Sequence, residues 1–173
     1  MFVAAPLGAQ EDTPIPAGIL TIHQERLFTM SLYGERVQAE IEAASAALAA
    51  ENRQIESELI AEEKALTEQR PTLDPDAFRV LADAFDEKVQ GIRQAQDIKT
   101  RELGRKLEQE RNTYYEQVLP VLGELMKERG AVAILERRMV FASANSIDIT
   151  EIAVRRIDAT LGDGKKTAPA PEE

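Results

Sequence analysis

Two long stretches, residues 35–70 and 76–129, dominate this chain, and both place their apolar side chains on an eleven-residue period. In the first, Val37, Ile41 and Ala44 are followed by Leu48, Asn52 and Ile55, then by Leu59, Glu63 and Leu66, so that two of nine positions are polar. In the second, Leu81, Ile92, Leu103, Tyr114 and Leu125 hold one register, and Phe85, Gln96, Leu107 and Val118 hold the next. Eleven residues over three turns is about 3.67 per turn, close to the 3.6 of an α-helix. Two such helices therefore pack side by side nearly straight, or with a weak right-handed supercoil. Between them Pro71-Thr-Leu-Asp-Pro75 stops the first helix, reverses the chain and starts the second, because proline breaks a helix interior yet suits the first helical position. The spacing predicts an antiparallel hairpin. At ~1.5 Å per residue its outgoing arm is about 54 Å long, nearer 70 Å with the turn after Gln24, and its return arm about 80 Å.

A hairpin of this kind buries one narrow stripe on each helix and cannot enclose a core. It has to stand on something, and the two ends of the chain supply the material. Ile19-Leu-Thr-Ile-His23 is a short β-branched run directly after Gly18, read as a strand. Leu27, Phe28, Ser31 and Leu32 follow at helical spacing. After Gly130, Ala131–Leu135 and Met139–Ala142 read as two further strands around Glu136, Arg137 and Arg138. Asp148 with Glu151 resembles a capping box, opening an amphipathic helix that carries Ile152, Val154, Ile157 and Leu161. The expected fold is α+β, mostly α: a helical hairpin arm over 35–129 with its tip at 71–75, projecting from a small β-sheet body built by 19–34 and 130–161. Three strands of four or five residues and one helix make too small a core for such an arm. Oligomerisation through Ile19, Leu20, Ile22, Val132, Ile134, Met139 and Phe141 is the expected remedy.

The remaining segments are simpler. Residues 1–18 read as a signal remnant and linker: Met1–Gln10 is apolar, too short to span a bilayer and without the basic start of a signal, and Pro14, Pro16 and Gly18 follow. A plain apolar N-terminus is the alternative reading of Met1–Gln10. Residues 162–173, GDGKKTAPAPEE, are disordered by composition.

Composition narrows the function classes. There is no cysteine, so disulfides, Cys-ligated metals and thiol nucleophiles are excluded. His23 is the only histidine, and no GxSxG, HExxH or P-loop pattern supports it. The glutamates sit at spacings expected of a solvated helix face, so the expectation is no enzyme, no cofactor and no metal site. Twenty-one basic against thirty-one acidic residues leave a net charge of −10, which argues against a nucleic-acid partner.

The order of ILTIHQERLF, a long charged hairpin and GAVAILERRMVFASANSIDITEIAVRRID resembles the Skp/OmpH family of periplasmic chaperones. Leu27 and Phe28 match that family's Leu-Phe pair after the first strand, and Asp148, Ile149 and Thr150 match its D-[IV]-T before the last helix. The similarity covers about Ile19 to Leu161. It implies a homotrimer whose helical tentacles enclose unfolded outer-membrane proteins in the periplasm, hold them without ATP and prevent their aggregation. It also implies a signal peptide. A structural coiled-coil scaffold, or a prefoldin-like chaperone without outer-membrane clients, are the competing readings.

Several residues carry narrower expectations. Ala43, Ala46, Ala47 and Ala50, with Ala49, are candidate client-facing positions, or simply good helix formers on a solvated face. Gly91, Gly104, Pro120 and Gly123 are candidate sites of arm flexing, with close packing against the other helix as the alternative for the glycines. Leu73, Phe78, Val80 and Leu81 near the tip are candidates for peripheral membrane contact, although packing between the arms explains Phe78 and Leu81 as well. Enteric members of the resembled family are basic. Here the outgoing arm has four basic against nine acidic residues and the return arm ten against eleven, so no lipopolysaccharide site is carried over.

Overall fold

The computed structural model describes residues 18–165. The signal-remnant segment up to residue 17, with Pro14 and Pro16, and the tail beyond residue 165 lie outside the described residues. In chain order the elements are β1 (Gly18–Ile22), α1 (Gln24–Thr29), α2 (Leu32–Gln69), α3 (Pro75–Glu128), β2 (Ala131–Glu136), two 3-10 turns (Arg137–Met139 and Asn145–Ile147) and α4 (Thr150–Leu161).

The hairpin forms as the repeat requires. Ser31 caps α2 by accepting from the Gly34 amide at 3.1 Å, and the Asp158 carboxylate of α4 accepts from the Leu32 amide at 2.9 Å. Asp74 caps α3 through the amides of Asp76 and Ala77, with Pro75 at the start of the helix. At ~1.5 Å per residue α2 is about 57 Å long and α3 about 81 Å. The longer helix runs on past its partner and becomes the spine of the base.

That base holds the buried core. Leu20 and Ile22 of β1, Leu27 and Phe28 of α1, Tyr33 and Val37 of α2 pack with Tyr114, Val118, Val121 and Leu125 of α3 and with Ile149, Ala153, Val154 and Ile157 at α4. Tyr114 is its centre. Its ring meets Phe28 edge-on at 5.1 Å and lies 5.3 Å from both Tyr33 and Tyr115, while its hydroxyl donates to the Leu27 carbonyl. Gly34 lets α2 leave this junction closely, since a Cβ there would come within 1.8 Å of the Phe28 carbonyl oxygen. Gly130 turns α3 into β2 at φ +60°, a conformation side chains resist.

The sheet has two parallel strands, with Leu20 opposite Ile134 and Ile22 opposite Glu136. Parallel neighbours need a long crossover, and here the whole arm is that crossover. The expected third strand at Met139–Ala142 does not form. The second edge of β1 is taken by Asp148–Ile149, through a bridge from Thr21 to Asp148 and an Ile149 amide donating to the Thr21 carbonyl at 3.0 Å. After β2 the Glu136 carboxylate accepts from the Arg138 and Gln24 amides and turns the chain away. The capping box is also replaced. Asp148 accepts from the amide and hydroxyl of Thr150, but its own amide goes to the Asn145 carbonyl, and Glu151 is exposed beside Arg26.

Along the arm the eleven-residue register of Phe85, Gln96, Leu107 and Val118 stays on the seam throughout, while that of Leu81 holds only from Ile92 inward. Ile92, Leu103, Tyr114 and Leu125 lie on the seam, as do Gln96, Leu107 and Val118, whereas Leu81 is exposed and Ala82 takes its place. From Phe78 the outer seam runs Phe78, Ala82, Phe85, Val89, Ile92, Gln96, a seven-residue period. In α2, Asn52 and Glu63 are exposed and Glu62 is half-buried instead. The polar pair leaves the seam because a small helix rotation exposes carboxylate and amide while Leu59 and Leu66 stay covered.

Candidate functional site

Beyond Val37 and Tyr114 the arm has no fully buried residue. Over most of its length it offers half-covered apolar side chains between two charged flanks.

One flank is an ion ladder. Glu40 pairs with Lys106, Glu51 with Lys99 and Glu62 with Lys88, so glutamates eleven residues apart on α2 each take a lysine from α3. These pairs are half exposed and screened by water, so each contributes little to stability by itself. Their value is register: acid on one helix and base on the other oppose axial slippage. The ladder ends at the base in a tighter knot. Glu110 accepts from the Tyr33 hydroxyl at 2.8 Å and from Arg36 at 3.0 Å, and Arg36 also reaches Glu40 at 3.1 Å. Burial pushes the Glu110 carboxyl up, but the bonds from Tyr33 and Arg36 outweigh it and hold it below the usual range. Sequence reading missed this ladder, although Glu40, Glu51 and Glu62 repeat in step with the apolar residues.

Opposite the ladder is a groove of about 540 Å³ in the outer half of the arm. Ile55, Leu59, Phe85, Val89 and Ile92 form its apolar lining, and Glu56, Glu63, Asp86, Asp97 and Arg93 its charged rim. Gln96 lies on the seam beneath with its Oε1 buried and unpartnered. Ala43, Ala46, Ala47, Ala49 and Ala50 are all exposed on α2, closer to the base. Ideal Cβ atoms at Gly91, Gly104 and Gly123 meet nothing within 4 Å, so close packing does not account for these glycines. Pro120 lies inside a continuous α3.

At the base, the seven residues expected at a shared interface divide into two sets. Leu20 and Ile22 are buried in the chain's own core and Ile134 packs against it, whereas Ile19, Val132, Met139 and Phe141 are exposed, Phe141 fully. Beside them a groove of about 510 Å³ is lined by Ile22, Leu27, Tyr115, Leu119 and Leu122. At the tip, Phe78 is half-buried under the Arg70 guanidinium, while Val80 and Leu81 are exposed. Arm packing thus covers Phe78 but not Leu81. The His23 amide donates to Thr150 Oγ1. Among the described residues there is no cluster of three or more His, Asp or Glu suited to a metal ion, and no helix long and apolar enough to cross a membrane.

A family model for outer membrane proteins of the OmpH-like type matches residues 18–157. Among solved structures, the chain is similar to an OmpH-like outer membrane chaperone candidate from Caulobacter crescentus CB15. The two superpose with a TM-score of 0.77 at 20% identity, covering 92% of this chain and 91% of that one, a likeness of fold. A comparison with curated proteins finds no match.

Proposed function

The chain belongs to the OmpH-like outer membrane protein family, and on that premise we propose that it is an ATP-independent holdase chaperone. Its clients are unfolded outer-membrane proteins, which it encloses in the periplasm and keeps from aggregating. The observation that carries this reading is the division of labour along the chain: among the described residues the fully buried ones lie in the base, while the arm keeps its apolar seam half open between charged flanks.

The mechanism follows from that surface. An unfolded β-barrel chain aggregates by pairing exposed strand edges with other copies of itself. Separating one chain from the next prevents this, and many weak contacts with half-covered aliphatic groups achieve separation without trapping the client. Ala43, Ala46, Ala47 and Ala50 add a low, smooth surface of this kind. Gly91, Gly104 and Gly123, which have room for a side chain they do not carry, let the arm bend around clients of different size, helped by Pro120 near the base. The exposed Val80 and Leu81 give the tips a peripheral contact with membrane headgroups.

Enclosure takes several arms, and the base supplies the means to gather them. Met139 and Phe141 project from the turn after β2, and an apolar groove opens beside Leu119 and Tyr115 on the same base. Three copies joined through these surfaces, with Ile19 and Val132, would bury side chains that are costly to leave in water.

The test is light scattering of an unfolded β-barrel protein diluted from urea, with and without the chain. Aggregation suppressed at stoichiometric chain without nucleotide supports the holdase reading; undiminished aggregation at excess chain leaves a structural scaffold.

A further inference from the structure

The outer groove of the arm differs from the rest of the molecule in how its charges are spent. On the ladder flank, Lys88, Lys99 and Lys106 neutralise Glu62, Glu51 and Glu40. On the groove flank, Glu56, Glu63, Asp86 and Asp97 face a single guanidinium, Arg93, and among the described residues none of these five is in an ion pair. Helix geometry separates the two flanks, since Glu62 and Glu63 fall on opposite sides of the line through Leu59 and Leu66. Four unneutralised carboxylates thus border an apolar trough whose floor is Ile55, Leu59, Phe85, Val89 and Ile92.

We propose that this groove is a binding site for an extended peptide segment in which apolar residues alternate with lysine or arginine. The dimensions agree. From Asn52 to Glu63 the α2 wall is about 16 Å long at ~1.5 Å per residue, which matches about five residues of extended chain at ~3.3 Å each. In an extended segment alternate side chains point to opposite faces. One face sets its apolar groups into the trough, and the cations between them leave from the opposite face and fold their long stems back over the edges of the segment to the carboxylate rim. A segment flanked by glutamate would seat the same apolar groups but bring its charges against four like charges. The inference rests on the holdase reading and narrows it: the arm selects cationic, strand-forming stretches of its clients.

The experiment uses the full chain and three fluorescent peptides with the same alternating apolar residues, interspersed with Lys, Glu or Ser, measured by fluorescence anisotropy. The Lys peptide is expected to bind about tenfold tighter than the Glu peptide at low salt, and within about twofold of it in 1 M NaCl, where the Debye length is ~3 Å. The combined variant Glu56→Gln, Glu63→Gln, Asp86→Asn, Asp97→Asn should lose the preference and keep the affinity for the Ser peptide. Glu62→Gln, on the ladder flank, should retain the preference. Equal binding of Lys and Glu peptides, or a preference that survives the combined variant, overturns the site. So does Lys-peptide binding that weakens as chain concentration rises, which would place a second copy in the groove. Aggregation of a β-barrel protein, measured on the same preparations, separates the two ideas: suppression without peptide preference refutes the site alone, and preference without suppression refutes the holdase reading alone.

Discussion

Replacing Gly91, Gly104 and Gly123 together by alanine is the sharpest perturbation of the arm. Glycine within a helix is destabilising relative to alanine by roughly 0.5–1 kcal/mol, because the unfolded chain has more freedom to lose. Alanine would bring its own penalty if the added Cβ met a neighbour, but at all three positions the nearest atoms outside the local helix are beyond 4 Å. None of the three has a positive φ. The full gain is therefore available at each site, and the triple variant should be about 1.5–3 kcal/mol more stable. For a chain of this size that is a rise in Tm of roughly 3–12 °C, read by circular dichroism at 222 nm with both proteins at one concentration. A fall in Tm would refute the argument, since it would mean that the glycines fill a packing role. If the same glycines allow bending, the stiffened arm should also show a narrower change in radius of gyration on client binding by small-angle scattering. A triple variant as stable as expected, with an unchanged scattering response, would leave the glycines without a mechanical role.

Three further substitutions and a pH titration probe the base. Gly34→Ala should destabilise by about 3 kcal/mol or more, because its Cβ would lie 1.8 Å from a backbone oxygen that cannot rotate away; chemical denaturation measures it. Thr21→Val should stabilise by about 1 kcal/mol in the same assay, since Thr21 is fully buried with its hydroxyl unpartnered. Stability should also fall at both ends of the pH scale. Burial raises the carboxyls of Glu110 and Asp148, yet bonds from Tyr33 and Arg36 to the first, and from Thr150 and Arg137 to the second, hold both below their unfolded values. Their contribution is complete above the unfolded carboxylate pKa of about 4 and is lost as pH falls through the lower folded values. Burial pushes the Tyr33 and Tyr114 phenols up to about 12, so their contribution is complete below about 10 and disappears as pH rises from there toward 12. Tyr114→Phe should shrink the alkaline loss.

Much of this architecture was legible in residue order. The prolines at 71 and 75 and the aspartate between them fix the tip and reverse the chain, and the apolar period marks the two segments as helices that pack along one stripe. Sequence failed where the outcome depended on a competing partner. Met-Val-Phe-Ala at 139–142 has strand composition, but the Glu136 carboxylate accepts from the Arg138 amide and starts a 3-10 turn at Arg137–Met139 that leads the chain off the sheet, while Asp148–Ile149 takes the second edge of β1. In the outer part of α3 the period failed at Leu81 alone. Leu81 and Ala82 are neighbours that both suit a helix, and only the rotation of α3 about its axis decides which of the two faces α2. The need for glycine at 34 arises only from the Phe28 carbonyl placed against it in the fold. At the candidate site, apolar residues were visible but their charged borders were not, because a carboxylate's partner lies on the other helix. The eleven-residue spacing of Glu40, Glu51 and Glu62 was the one available clue.

Native mass spectrometry of the purified chain mixed with an unfolded β-barrel protein tests the central claim most directly. The account predicts three copies of 19.2 kDa carrying one client, with Met139→Asp and Phe141→Asp together dissociating the complex to single copies that hold no client. A stable single copy from the unaltered chain, or an assembly that leaves the client free, would contradict it.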